Sequence, residues 1–310
     1  MTLSPRHLLL LVLLTLVWGL NWPVMKLGIG HLPPLSFRSL SMWLGLPVLY
    51  AAVRWLKVDL RVARSDWPEL AKLTLTNMLV WHVIAILSLQ ALSSGRAAIL
   101  GYTMPIFSAL CGRAMFGERL TARQLGGVAA AAVGVALLLW HEVAGMAGKP
   151  WAAFGMLTAA AIWALGTQQL RRTRIAASTL ALTWWMTVAT VLVMTLLATA
   201  FEHDRWQAPS AVAWGTVLYN AVLIFGFAQP AWLVLARGLP PAASTLSVMM
   251  IPALGAVSGA LWLGEKLHWQ DAAAIVLMAV AIGTVLWPKR PPTAIASPAG
   301  PDTDRRSQGA

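Results

Sequence analysis

Charged residues and cysteine are both scarce in this chain, and each scarcity excludes a class of protein. Only 11% of its 310 residues are charged, whereas a soluble domain carries roughly 25%. With 58% hydrophobic residues and a mean hydropathy of +0.69, lipid must be the solvent for most of the chain. The single cysteine, Cys111, excludes an internal disulfide and a cysteine cluster for metal.

The motifs of several enzyme classes are also missing. The sequence has no glycine-rich phosphate loop with a lysine, no His-Glu-x-x-His, no Gly-x-Ser-x-Gly and no Cys/His spacing for a metal. We therefore expect neither a cofactor nor a bound metal, and we predict that the chain is not an enzyme. We do not expect an ATP-driven pump, because the length leaves no room for a nucleotide-binding domain.

What the sequence has instead is a series of apolar spans, each about 20 residues long and separated by short connections. Prolines lie at or near most of the boundaries, where their missing N–H costs little. The predicted fold is all-α and integral to the membrane, and we place its ten helices near 8–28, 34–54, 69–91, 95–116, 122–141, 151–170, 178–200, 211–236, 241–263 and 269–287.

The basic residues indicate the direction of these helices. With the N-terminus inside, 17 of the 23 Lys and Arg residues fall on the cytoplasmic side and 6 on the other, as the positive-inside rule requires. The net charge of +12 is therefore a topology signal, and we expect no nucleic acid partner. Both termini are predicted to be cytoplasmic, and residues 291–310, rich in Pro, Ala and Ser, to form a disordered tail.

A segment of the first half recurs 147 residues later. Each copy is an apolar span with a central proline, then Gly-Glu-basic-Leu, then a second span that ends in tryptophan. The matched positions are Pro105 and Pro252, Gly112 and Gly259, 117–120 and 264–267, and Trp140 and Trp287. Because each unit holds five helices, an odd number, the second must be inverted relative to the first. We predict two repeats, at 1–145 and 146–290, around a shared central site.

These motifs resemble the EamA-type branch of the drug/metabolite transporter superfamily over residues 8–287. The resemblance rests on Trp18-Gly19-Leu20-Asn21-Trp22, on Arg38, and on the twice-repeated proline followed by Phe/Leu-Gly-Glu-basic-Leu. It implies two inverted five-helix bundles that export or take up small metabolites across the inner membrane. Helix 6 departs from the pattern, because Trp163-Ala164-Leu165-Gly166 replaces Trp-Gly-x-Asn. The two halves need not contribute equal polar groups.

Three polar residues inside the spans are candidates for binding the cargo. Asn21 lies three residues after Trp18 and close to the same helix face, and its amide needs a partner from substrate or from a neighbouring helix. His82 is the best candidate for proton coupling, because histidine changes charge near neutral pH; a neutral packing histidine is the alternative. Arg38 could hold a carboxylate, or it could extend towards the lipid headgroups.

Aromatic residues and prolines at mid-span form a second group of candidates. Trp18 and Trp163 lie near the centres of helices 1 and 6, where an indole N–H needs an internal acceptor or a wet cavity. Pro105 and Pro252 should each free a carbonyl and bend helix 4 or 9 next to a cavity. One further residue lies three positions before each proline and should share its face, namely Tyr102 and Met249.

The sequence therefore predicts a secondary transporter that works by alternating access on a small amphipathic solute such as an amino acid, with export favoured. No Asp or Glu falls at mid-span, so a facilitator or exchanger stays open beside coupling through His82. Glu118 and Glu265 are predicted to cap the next helix or to pair locally. An intramembrane enzyme and a non-transporting scaffold or receptor are the alternatives, and a homodimer stays open.

Overall fold

The computed structural model describes residues 5–144, 150–228, 231 and 241–286, apart from the side chains of 5–8, 139, 141–144, 241–249 and 285–286. These residues form helices and connecting turns, and no strand occurs among them. The chain is therefore an all-helical protein, as the sequence predicts.

The first half of the chain contains five helical regions. They are α1 (Pro5–His31), α2 (Pro34–Trp55), α3 (Trp67–Thr74, Leu75–Leu79 and Val80–Leu89 in one run), α4 (Ser94–Gly101 and Met104–Phe116) and α5 (Ala122–Ala144). The middle part of α3 is a π-helix, which is wider than an α-helix and is often found near functional sites.

The second half continues in the same style. Its helical regions are α6 (Pro150–Leu170), α7 (Thr179–Glu202), α8 (Ala211–Leu218 and the π-helical Tyr219–Ala228), α9 (Pro241–Leu263) and α10 (Trp269–Leu286). The predicted end of helix 8, at residue 236, lies outside the described residues.

Six helical stretches are long and apolar enough to cross a membrane. They are Leu9–His31, Arg64–Leu89, Ser94–Phe116, Pro150–Leu170, Thr179–Arg205 and Ala211–Ala228. Three shorter apolar stretches accompany them, at Ala122–Leu138, Met250–Leu263 and Trp269–Thr284. Many large apolar side chains on these helices face outwards, as expected where lipid covers the protein.

Helices that lie 147 residues apart in sequence make corresponding contacts. α1 packs on α9, while its counterpart α6 packs on α4; α2 packs on its own counterpart α7, and α5 on α10. The π-helical turn of α3 at Leu75–Leu79 also has a counterpart, because positions 222–226 fall inside the π-helical Tyr219–Ala228 of α8.

The two Gly-Glu turns share one backbone conformation. Gly117 and Gly264 have φ values of 68° and 65°, a left-handed conformation that favours glycine at a helix end. In both turns the next N–H donates to a carbonyl six residues back: Glu118 to Gly112 at 3.0 Å, and Glu265 to Gly259 at 3.4 Å.

The two repeated prolines behave differently. α4 is interrupted at Tyr102 and Thr103, and Pro105 stands in the first turn of its second part. Pro252, by contrast, lies inside the continuous helix α9. The sequence predicts a bend at each proline, and the structure shows a break in the helical assignment beside Pro105.

Candidate functional site

Several of the candidate site residues lie on one face of α1. Trp18, Asn21, Trp22 and Met25 follow the spacing i, i+3, i+4 and i+7, which places them on one side of a helix. Asn21 is buried, and its Oδ1 atom has no hydrogen-bond partner. A buried acceptor without a partner is costly, so this atom is a place where a ligand or water can bind.

Arg38 of α2 lies against this face. It is only 5% exposed, so it does not extend into the headgroup region. Its Nη1 donates to Oδ1 of Asn220 at 3.3 Å, its Nη2 contacts the sulfur of Met25, and its Nε has no partner. No carboxylate among the described residues forms an ion pair with it. The site therefore contains a buried cation that these residues do not neutralise.

His82 of α3 is the third buried polar group. Its Nδ1 atom has no partner, and its ring lies 5.9 Å from the ring of Phe225 at an interplanar angle of 56°. Phe225 and the Asn220 that binds Arg38 both belong to the π-helical part of α8. Helix α8, from the second half of the chain, thus contacts polar groups of α2 and α3, which belong to the first half.

An aromatic pair includes the residue that follows Asn21. Trp22 of α1 meets Tyr102 at the break in α4, with ring centroids 6.5 Å apart and an interplanar angle of 66°. A methyl group added at Gly101 would come within 2.9 Å of the Trp22 indole, and one added at Gly255 within 3.3 Å. Glycine at these positions lets the indole fit between α4 and α9.

The remaining predicted residues are less closely linked to Arg38. Trp18 is half-buried and packs against the apolar groups of α1 and α8. Trp163 is half-buried on α6, and its carbonyl accepts from the hydroxyl of Thr167. Pro105 is half-buried and Pro252 is buried. The side chain of Met249 lies outside the described residues.

Two glutamates, the buried Glu202 and the half-buried Glu265, connect the halves of the chain at the end where α2 and α4 begin. Glu202 of α7 accepts from Leu35 N at 3.0 Å and from Ser36 N and Oγ, both at 2.7 Å. Glu265 accepts from Ser94 N at 2.8 and 3.0 Å and from its Oγ at 2.6 Å. Each glutamate satisfies N–H groups at a helix start. We call this end the clasped rim, formed by Ser36, Ser94, Arg96, Glu202, Glu265 and Asp271.

The Glu265 contact differs from the expected capping of the next helix. The next helix is α10, and Asp271 serves it by accepting from His268 N at 2.8 Å. Asp271 also pairs with Nε of Arg96 at 2.8 Å, with the two side chains 4% and 12% exposed. Glu265 instead reaches back to α4, because the Gly264 turn points its side chain towards Gly259 and Ser94.

A polar link also joins the halves at the opposite end. Glu118 pairs with Arg172, whose guanidinium lies over the Phe116 ring. Gln168 of α6 is buried and donates to the carbonyl and hydroxyl of Ser108 at 2.8 and 2.9 Å. Glu118 therefore pairs across the halves, with a partner 54 residues away, and not locally as predicted, and Gln168 joins α6 to α4.

Two surface cavities, of about 560 and 300 Å³, flank the segment after α2. Their lining includes Arg54 and Asp59 but none of the predicted cargo residues. They lie at the end of α2 opposite its start, beyond Arg38. These cavities are therefore separate from the polar groups of α1, α2 and α3.

Sequence reasoning missed part of this arrangement. Trp22 could have been found, since it follows Trp18 by four residues and shares its helix face. Asn220 is a polar residue within an apolar span, but nothing in the sequence indicates that Arg38 is its partner. Phe225 gave no signal, because a phenylalanine in an apolar span looks like any other lipid-facing or core residue.

The apolar helices, with buried polar groups among them, define a multi-pass membrane protein. The chain belongs to the EamA-like transporter family, which it matches in two stretches, residues 6–140 and 150–287. The two matched stretches account for nearly all of the described helices.

Relatives and a solved structure agree with this family. The chain is 28% identical over 293 residues to the "Probable amino-acid metabolite efflux pump" of Salmonella typhimurium, covering 89% of this chain and 94% of the relative. It is 27% identical over 285 residues to the "Uncharacterized inner membrane transporter YedA" of Escherichia coli K12, covering 90% and 91%. One crystal structure matches with a TM-score of 0.66 and 21% identity, covering 90% of this chain and 97% of that chain.

These findings confirm several sequence predictions in their general form. The protein is a multi-pass membrane protein of a transporter family, and it is not an enzyme. The intramembrane enzyme and the scaffold that the sequence left open are therefore set aside.

Proposed function

We propose that this protein is a secondary transporter that moves a small amphipathic metabolite, such as an amino acid, across the inner membrane by alternating access. Export is the favoured direction, in keeping with the efflux pump of Salmonella typhimurium to which the chain is similar. Its ten helices form two inverted five-helix repeats, residues 1–145 and 146–290, followed by a tail. Both termini are cytoplasmic, so the clasped rim faces outwards.

The cargo site lies between the halves, where the first half supplies most of the polar groups. Its residues are Trp18, Asn21, Arg38, His82, Tyr102, Pro105, Trp163, Met249 and Pro252, and His82 is the candidate for proton coupling. Trp18, Tyr102 and Trp163 contact the apolar part of the cargo, and Asn21 and His82 its polar part.

One observation carries this proposal: Asn21, Arg38 and His82 each bury a polar atom that has no partner. A folded protein rarely leaves such atoms unsatisfied, because each costs about 1–3 kcal/mol, and more when the group is charged. Three of them on three neighbouring helices indicate a place that a polar ligand or water fills during the working cycle.

The inverted repeat has independent support. The left-handed glycines, the π-helical turns and the packing of counterpart helices all recur at a spacing of 147 residues. Two halves of like structure that enclose a polar centre can tilt against each other, and this opens the site to one side at a time. The broken helix beside Pro105 provides a flexible joint for that movement.

Flux measurements in proteoliposomes test the function. Purified protein should exchange at least some members of a radiolabelled amino-acid panel, and His82→Ala and Trp163→Ala should each lower the rate with unchanged membrane expression. Trp151→Ala is the matched control, because Trp151 lies at the start of the same helix as Trp163 and is 54% exposed.

Two outcomes would count against the proposal. If no solute of the panel moves, the transport function itself is wrong. If the panel moves but both variants transport like the control, the function stands and the proposed cargo site is wrong.

A further inference from the structure

One edge of the Arg38 guanidinium has no strong acceptor among the described residues. Asn220 occupies Nη1 on one side. The Nε–H and an N–H of Nη2 lie together on the other edge, where Nε has no partner and Nη2 meets only the sulfur of Met25. A thioether is a weak acceptor. Two parallel N–H groups on one edge match the two oxygens of a carboxylate.

The charge around Arg38 sets the charge of that ligand. The two side chains that contact its guanidinium, Asn220 and Met25, are neutral, and no described carboxylate pairs with it. The nearest basic residue on α1, Lys26, donates to the carbonyls of Leu89, Gln90 and Leu92 at the end of α3. A group with one negative charge would therefore be balanced here, whereas a phosphate monoester would bring nearly two.

Asn21 supplies the complementary contact. It stands one helical turn before Met25 on the same face of α1, a rise of about 6 Å. Its unpartnered Oδ1 is an acceptor and so requires a donor from the ligand. Carboxylate and donor must therefore lie within a few ångströms of each other on one small molecule, as they do in an α-amino acid.

We propose that Arg38 and Asn21 together bind the head group of an α-amino acid, with the carboxylate on the Nε/Nη2 edge of Arg38 and the ammonium on Oδ1 of Asn21. This inference rests on the proposed transport function and specifies which atoms select the cargo. A solute that lacks either charged group loses its partner and leaves a buried polar atom unsatisfied.

Head-group analogues test the assignment. L-valine, L-leucine and L-phenylalanine are each compared with the amide, which lacks the carboxylate, and with the desamino acid, which lacks the ammonium. In proteoliposomes, the wild-type protein should prefer each parent amino acid over both analogues by at least about thirtyfold in apparent affinity, as expected when a buried charge loses its partner.

Variants then assign each group to its residue. Arg38→Gln should lose the preference for the acid over the amide. Arg38→Lys keeps the positive charge but lacks the two parallel N–H groups of the guanidinium, so it should retain part of that preference. Asn21→Ala should lose the preference for the parent over the desamino acid. Arg54→Gln is the control, since Arg54 lies exposed at the other end of the same helix.

The outcomes separate this inference from the transport function. The head-group assignment would be overturned if the three parent amino acids and their analogues were transported with equal affinity. It would also be overturned if the Arg38→Gln variant still discriminated against the amide. In both cases the proposed transport function would stand. A failure of every compound to move would overturn both. A loss of discrimination confined to the predicted analogue in each variant would support the inference, because a merely unstable protein would lose all fluxes together.

Discussion

Glu202 makes a sharply testable contact at the clasped rim. It is 2% exposed at the end of α7, and its two oxygens accept from Leu35 N, Ser36 N and Ser36 Oγ at the start of α2. Glu202→Gln keeps the size of the side chain but removes its charge and replaces one oxygen with an N–H₂ group. One donor of α2 is then left facing another donor.

The expected cost follows from these contacts. A hydrogen bond to a charged group contributes about 1.5–3 kcal/mol, and a carboxylate at a helix start adds about 0.3–1 kcal/mol. We therefore expect Glu202→Gln to lower the free energy of unfolding by about 2–4 kcal/mol. Since Arg38 follows Ser36 by two residues, the apparent affinity for cargo should fall as well.

Thermal unfolding followed by tryptophan fluorescence in detergent measures this effect. Asp204→Asn is the control, because the Asp204 side chain is 86% exposed and lies two residues away; a surface change of this kind stays within about 0.5 kcal/mol. Combining Glu202→Gln with Ser36→Ala should cost less than the sum of the single changes. A melting temperature for Glu202→Gln equal to that of the control would refute the assigned role.

Two further predictions concern the same end of the bundle. Gly259→Ala should destabilise the protein by about 1–3 kcal/mol, because the added methyl would lie 2.1 Å from Ser94 Oγ and 2.4 Å from Glu265 Oε2. Gly126→Ala is the control: the added methyl meets nothing within 4 Å, and because alanine favours a helix over glycine, the melting temperature should not fall. Lys26→Met should lower the melting temperature because three carbonyls at the end of α3 lose their donor; an unchanged value would show that water replaces the ammonium.

Several features of the fold follow from the sequence because they depend on local patterns. Apolar length locates the helices, and the repeated Gly-Glu pattern indicates a turn before Glu118 and Glu265. Arg38 and His82 are functional candidates because each is an ionisable residue within an apolar span. Such residues are costly in lipid unless they have a partner. The structure buries Arg38, so its guanidinium does not extend towards the lipid headgroups.

Other features depend on tertiary packing and have no local signal. Glu202 binds residues 166 and 167 positions away, and a carboxylate near a helix end looks the same in sequence whether it meets water or another helix. The π-helical turns at Leu75–Leu79 and Tyr219–Ala228 arise where α3 and α8 fit against their neighbours. Apolar periodicity does not distinguish them from ordinary helix.

The central claim is that two like halves lie inverted in the membrane around one polar site. Arg119 and Lys266 are exposed, counterpart positions in the two Gly-Glu turns. In a Cys111→Ser background, Arg119→Cys and Lys266→Cys are treated with a membrane-impermeant maleimide in intact and in permeabilised cells. The account predicts that the second variant is labelled in intact cells and the first only after permeabilisation. Labelling of both from the same side would contradict it.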